Sequence, residues 1–330
     1  MTTDSTLDPR ELSLCALDLH EHAHGVGYRE QQAMIMERLK RVVPFDAGLL
    51  GGGTIENGVP SGHDIWLFQR PQAFMDSWEE VKHQDRVALE AMRAPGTTLN
   101  VDTEGPFFDG VDLVRDHCRR WNLAHALCTA LISQGLYWVM SVYREQRERP
   151  FSEAERLFVE LLVPHVFASA RQARLGQLRR AARVSEAHGH SAAIASSEGL
   201  VVEAEPGLTE LLRVEWPAWV GPVLPRDLWE RIGSAPQTRV RQGRLVVRAD
   251  ETEGVRLVHV RRAVLADDLT AREREIAEAF SLGETHRDIG SRLAIAPSTV
   301  RRHLANIYEK LGISSKVELE RMLAASTSVE

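Results

Sequence analysis

Apolar positions along this chain change period several times, and each change marks an element. Between Gln32 and Val43 the residues Ile35, Leu39, Val42 and Val43 recur at helical spacing, and Pro44, which has no N–H to continue a helix, ends the run. Residues 47–54 and 64–68 read as short strands, 74–92 as a helix entered after Pro71, and 111–123 as another helix. Residues 127–143 are rich in Leu, Ile, Tyr, Trp and Val and predict two strands around a Gln134-Gly135 turn. Ser152 with Glu155 three positions on forms a capping box, followed by Leu157, Leu161, Leu162 and His165 at helical spacing. Pro164 lies inside that pattern and predicts a kink, after which the helix resumes through Arg171, Arg174, Arg179, Arg180 and Arg183 toward Gly189. On this helix Leu161, His165, Ala168, Leu175, Leu178 and Ala182 fit a dimer seam and fit packing against the chain's own domain equally well.

The stretch from 190 to 265 reads strand, turn, strand, helices and a long hairpin. Residues 192–195 and 200–204 flank a Ser197-Glu198-Gly199 turn, and 208–212 and 226–232 are helical. Two β-rich runs, 238–248 and 255–264, are separated by an acidic turn ending at Gly254.

From Leu269 onward the punctuation is dense. Thr270 with Glu273, Thr285 with Asp288, and Ser315 with Glu318 are three boxes that open helices, while Gly283 and Gly312 stop them. Pro297 opens a further helix at a position where its missing N–H costs nothing. In that helix Val300, Leu304, Ile307 and Leu311 form one buried stripe, and Arg301 and Arg302 lie off it near the N-terminal end. The second helix of a helix-turn-helix presents such residues to base edges in the major groove, and an arginine that grips guanine with both arms contributes roughly 1–3 kcal/mol of discrimination. Ser298, Thr299 and Lys310 suit phosphates, which set register rather than sequence.

Composition narrows the field without deciding it. The chain has 330 residues, 43% hydrophobic and 26% charged, as soluble multidomain proteins do. No apolar run reaches the length of a membrane span, and the polar, acidic start is no signal peptide, so a cytoplasmic protein is expected. A net charge of -7 excludes indiscriminate coating of nucleic acid but not a reader with a local basic cluster. Cys15, Cys118 and Cys128 have no metal-type spacing and read as buried, reduced thiols. His20, His22 and His24, with His188 and His190, lack a carboxylate or cysteine partner at ligand spacing and read as solvated, so neither a metal nor a cofactor is expected. An enzyme is disfavoured because Walker loop, nucleophile elbow and His/Glu metal motif are all missing, and Gly51-Gly52-Gly53 alone makes no phosphate site.

The C-terminal residues resemble the LuxR/FixJ-type helix-turn-helix over Leu269 to Leu323. The likeness rests on Leu269-Thr270-x-Arg272-Glu273-x-Glu275-Ile276, Asp288-Ile289-Gly290, Leu293-x-Ile295, Thr299-Val300-Arg301-x-His303-x-x-Asn306-Ile307 and Lys310-Leu311-Gly312. It implies DNA contacts by Thr299, Arg301, Arg302 and Lys310, and a dimer contact by the fourth helix. The full expected DNA-binding set is Thr285, Arg287, Ser298, Thr299, Arg301, Arg302, His303, Asn306, Lys310 and Lys316. Two departures matter: Ala296 stands where the family usually has a capping Ser, and Ala305 offers no polar group one turn after Arg301.

The first region resembles a GAF-type sensor in its Val42-Val43-Pro44-Phe45-Asp46-Ala47 start, central strand pair and closing Phe151-Ser-Glu-Ala-Glu helix; the middle region resembles a PAS-type domain in element order. The expected fold is therefore multidomain α+β: a GAF-like α/β sensor at 10–175, a helical linker at 176–189, a PAS-like α+β domain at 190–265 with Trp216, Trp219 and Trp229 in its core, and an all-α four-helix LuxR-type module at 266–330. Trp66, Phe68, Trp78, Trp121, Tyr137 and Trp138 are the candidate ligand pocket, with ordinary core packing as the competing reading. Asp85-Arg-Val resembles the Asp-Pro-Val of acyl-homoserine-lactone sensors, but the Trp and Tyr those sensors carry upstream fall on Gln72 and Asp76, which argues against that ligand. A receiver domain lacks its acidic pocket here, and nothing around Cys118 or Cys128 supports bilin attachment. The expectation is a homodimeric regulator of transcription that binds double-stranded DNA at a pseudo-palindromic operator under control of a small molecule. RNA polymerase stays open as a further partner, and a front half that docks a partner protein is the alternative.

Overall fold

The computed structural model describes residues 8–56, 58–133, 135–182, 190–233, 235, 237–252 and 255–327. Two five-stranded antiparallel sheets and a C-terminal helical bundle make up the molecule. The first sheet contains β1 (Ala47–Glu56), β2 (Val59–Phe68), β3 (Thr98–Asp102), β4 (His125–Ser133) and β5 (Leu136–Arg144) in the order β2-β1-β5-β4-β3. Side chains alternate across it, as the pleat requires. Leu50, Trp66, Phe68, Leu127, Trp138, Met140 and Val142 face one layer, made by α1 (Pro9–His22), α2 (Tyr28–Val42) and the long α6 (Glu153–Ala182). Leu49, Ile65, Leu67, Val101, Val139 and Tyr143 face the other, under α3 (Ala73–Val81), α4 (Arg86–Arg93) and α5 (Asp112–Arg120).

The second sheet repeats the strand order: β7 (Val201–Ala204), β6 (His190–Ala195), β10 (Val255–Arg262), β9 (Leu245–Thr252), β8 (Gln237–Gln242). Ala193, Ala195, Val258 and Val260 point to α7 (Leu208–Leu212) and α8 (Arg226–Ile232). Their neighbours Ala192, Ile194 and Leu257 point the other way and join the core cluster of the first sheet, with α6 packed against β6 and β7. Alternation thus makes α6 a shared layer. Arg174 on α6 lies 4.2 Å above the Trp138 ring and 3.9 Å from Glu203 of β7.

Several sequence expectations need correcting. Residues 74–92 are not one helix: Asp85 caps α4 by accepting from the Ala88 N–H, and a 3-10 turn at Lys82–Gln84 separates α3 from α4. The run 238–248 is not one strand, because Gly243, at a φ of 53° that favours glycine, turns β8 into β9. Two elements lie beyond the sequence expectations: α1, whose core stripe of Leu12, Cys15, Ala16 and Leu19 is blurred by the exposed Leu14 and Leu17, and the short β3. As expected, α6 resumes beyond Pro164 and runs on to Ala182, opened by the reciprocal Ser152–Glu155 bonds. Gly51-Gly52-Gly53 lies inside β1, paired on both sides, and forms no loop. The Gln134 turn residue, Arg183, His188, Gly189 and Gly254 lie outside the described residues.

The bundle follows a 3-10 turn (Leu265–Asp268) and comprises α9 (Ala271–Ser281), α10 (His286–Leu293), α11 (Pro297–Leu311) and α12 (Lys316–Thr327). The described residues contain no helix long and apolar enough to cross a membrane.

Candidate nucleic-acid interface and buried cavity

α11 is held by its own stripe. Val300, Leu304, Ile307 and Leu311 are buried against Ile276, Ile289, Leu319 and Leu323 of the neighbouring helices. Thr270 and Thr285 cap α9 and α10 reciprocally with Glu273 and Asp288, and each carboxyl is held below the ordinary carboxylate range, chiefly by the Lys310 bond at Glu273 and by the Thr285 hydroxyl at Asp288. The turn between α10 and α11 is tight: Ala294 takes the left-handed conformation, and a Cβ on Gly290 would sit 2.7 Å from the Ile295 carbonyl oxygen. Only glycine allows that approach.

With the stripe buried, Arg301, Arg302, Ser298, Asn306 and Arg287 are exposed, and Thr299 and His303 are half-buried. No ion pair engages Arg301 or Arg302 among the described residues. Other expected contacts are occupied within the bundle. The Thr285 hydroxyl donates to Asp288, Lys310 Nζ donates to Glu273 Oε2 at 2.9 Å, and Lys316 lies 3.7 Å from Glu320 and over the Phe280 ring. Gly312 ends α11 in the left-handed region, and the Ile313 N–H bonds the Tyr308 carbonyl beyond it.

A cavity of about 100 Å³ opens between the first sheet and α3, α4 and α5. It is lined by Trp78 and Tyr137 of the expected pocket, but Trp66, Phe68, Trp121 and Trp138 are not among its walls. Trp66, Phe68 and Trp138 occupy the opposite face of the sheet, because their strand neighbours Ile65, Leu67, Tyr137 and Val139 take the cavity face. Trp121 packs edge-on to Phe74 and donates Nε1 to Ser77 Oγ at 2.8 Å. The register was available in the sequence: adjacent residues such as Tyr137 and Trp138 cannot share a face of one strand. The wall also includes Met75, Asp85, His117 and Cys118, from helices and a turn whose facing no local pattern reveals, and Cys128 of β4.

Asp85 is the charged side chain in this lining. It accepts from Trp78 Nε1 at 2.8 Å and from the Ala88 N–H at 3.0 Å; burial raises its carboxyl pKa, a push those bonds only partly oppose. Burial, followed by the charge of Arg120, lowers His117 to about 4, so its ring is neutral. The buried Cys118 and Cys128 thiols are pushed up to about 12 and stay protonated, unlike attachment or nucleophilic cysteines. Elsewhere His20 contacts Gln172 and His165, and His22 contacts Asp18.

Residues 267–323 match the family model described as bacterial regulatory proteins, luxR family. The regulatory protein UhpA of Escherichia coli is 46% identical over 57 residues, covering 17% of this chain and 29% of that protein. The probable regulatory protein NarL of Mycobacterium tuberculosis is 41% identical over 59 residues, 18% of this chain and 27% of that one. The match thus spans under a third of either relative. Escherichia coli SdiA aligns over 96% of this chain and 98% of its own, at 14% identity and a TM-score of 0.39, too weak a likeness to transfer an architecture. The buried stripe, the reciprocal caps, the glycine-bound turn and the family match converge on one segment: residues 267–323 are a LuxR-family helix-turn-helix domain.

Proposed function

We propose that the protein is a cytoplasmic transcription regulator that binds double-stranded DNA sequence-specifically as a homodimer and is controlled by a small molecule received in its N-terminal half. One observation carries the DNA reading: α11 buries its aliphatic stripe and leaves Arg301 and Arg302 exposed at its N-terminal end. In this reading the two arginines address base edges. Ser298, Thr299, Asn306, Arg287, His303 and Lys316 flank them toward the backbone, and Thr285 and Lys310 exchange their intramolecular partners for phosphates. We assign residues 10–175 and 190–265 as GAF-like and PAS-like units, supported by the identical strand order of the two sheets.

The dimer reading has its own support. His20 of α1 meets His165 and Gln172 of α6, and beyond the end of α1 the Val26 carbonyl accepts from Arg180. Leu14 and Leu17 on α1 and Leu161 on α6 are exposed at 66%, 55% and 45%, apolar surface that a second copy covers. The cavity supports the sensory role, since it is largely apolar and holds a few polar groups.

Footprinting against the protein's own upstream region tests the proposal. The protected site contains half-sites about one DNA turn apart. Arg301→Ala weakens specific binding about 5- to 150-fold while circular dichroism stays unchanged. Operator affinity that survives this substitution removes α11 from sequence readout.

A further inference from the structure

We infer that the cavity under the first sheet takes a neutral, largely apolar molecule bearing an O–H or N–H group, which that molecule donates to Nε2 of His117. The inference rests on the sensory reading of the N-terminal half and names its ligand class.

Three observations carry it. First, the wall contains no Arg or Lys, so phosphates and carboxylates find no counter-charge. Second, Nε2 of His117 is buried with no hydrogen-bond partner, on a residue only 7% exposed that lines the cavity. Third, the other ring nitrogen decides what Nε2 can do. Nδ1 lies 3.1 Å from Ser77 Oγ, which gives its own proton to the Phe74 carbonyl at 3.0 Å and accepts from Trp121 Nε1 at 2.8 Å. With the Ser77 proton assigned to the Phe74 carbonyl, Nδ1 supplies the proton in that contact, and Nε2 is left with a lone pair. An acceptor in an apolar wall is satisfied by a ligand that brings a donor. Size sets a further limit: a dry cavity of about 150 Å³ takes benzene, so a volume of about 100 Å³ seats one small ring or chain segment once the flexible Met75 and Met92 shift.

Calorimetric titration of the full chain with phenol, toluene and benzoate tests this. Phenol and toluene match in size and differ in the donor; benzoate adds the negative charge. Phenol binds at least tenfold more tightly than toluene, benzoate does not bind, and His117→Phe abolishes the preference for phenol. Should that variant fail to fold, the wild-type ring reports instead: the unprotonated ¹⁵N resonance of His117 shifts on adding phenol and stays put with toluene. Equal binding of phenol and toluene, or binding of benzoate, overturns the donor assignment while the sensory reading stands. Failure of all three probes to bind overturns the cavity as a ligand seat, and the inference with it.

Discussion

His117 shows how much chemistry one buried ring can set. Its desolvated imidazole titrates near 4, whereas in the unfolded chain it takes up a proton near 6.5. Between those values the unfolded chain binds the proton and the folded one does not. The stability this group contributes is therefore complete above about pH 6.5 and is lost as pH falls toward 4. Asp85 works in the opposite sense, because its raised carboxyl favours the folded state as acid is added. The difference between wild type and His117→Phe isolates the histidine. Urea midpoints measured from pH 7 to 4 fall less steeply in the variant, and equal slopes place a protonated ring in the folded protein.

At the scale of elements, α11 has a weak start and a strong finish. Thr270 and Thr285 each close a reciprocal capping box, but Ala296 at the N-cap of α11 makes no side-chain bond to the open amides. Ala296→Ser supplies that acceptor, and the bundle gains about 0.5–2 kcal/mol. Thermal melting reads the gain as a higher midpoint; an unchanged midpoint means water already satisfies those amides equally well. Termination needs no improvement, since Gly312 occupies the left-handed position that a Cβ disfavours. The break between α3 and α4 follows the same logic in reverse: the Asp85 side chain bonds the Ala88 N–H, so the chain restarts a helix where apolar spacing alone predicts continuity.

Across the whole molecule, a buried ion pair holds the C-terminal bundle to the second sheet. Arg261 at the end of β10 is 2% exposed and grips Asp267 with two nitrogens, at 2.6 and 2.5 Å, and also donates to the Ser326 carbonyl of α12 at 2.9 Å. Arg239 adds a bond to Asp267 at 3.0 Å, and Arg241 pairs with Asp268. Burial alone would raise the Asp267 carboxyl, but its bonds to Arg261 and the Val264 N–H hold it below the usual range. The pair is thus intact wherever an unfolded Asp, near 3.9, is ionised, and loosens only as pH falls below that. Asp267→Ala strands the buried guanidinium and costs about 3–5 kcal/mol. Differential scanning calorimetry then resolves the bundle from the rest as a separate, earlier transition. A single transition in the variant means that apolar packing at Ala266 and Leu269 suffices for the coupling.

Local patterns were enough for most elements and for α11. Caps, turn glycines and the stripe from Val300 to Leu311 act within one or two turns of chain, so the residues that enforce them are neighbours in sequence. The same locality left Arg301 and Arg302 on the exposed face before any neighbour was known. What only the tertiary structure decided was where surfaces meet. α6 became a layer common to two sheets, Trp66, Phe68 and Trp138 turned away from the cavity while Tyr137 entered it, and Asp85, His117, Cys118 and Cys128 converged from separate segments. Burial of one face against another is settled by the rest of the chain, and a side chain's nearest neighbours in space are then strangers in sequence.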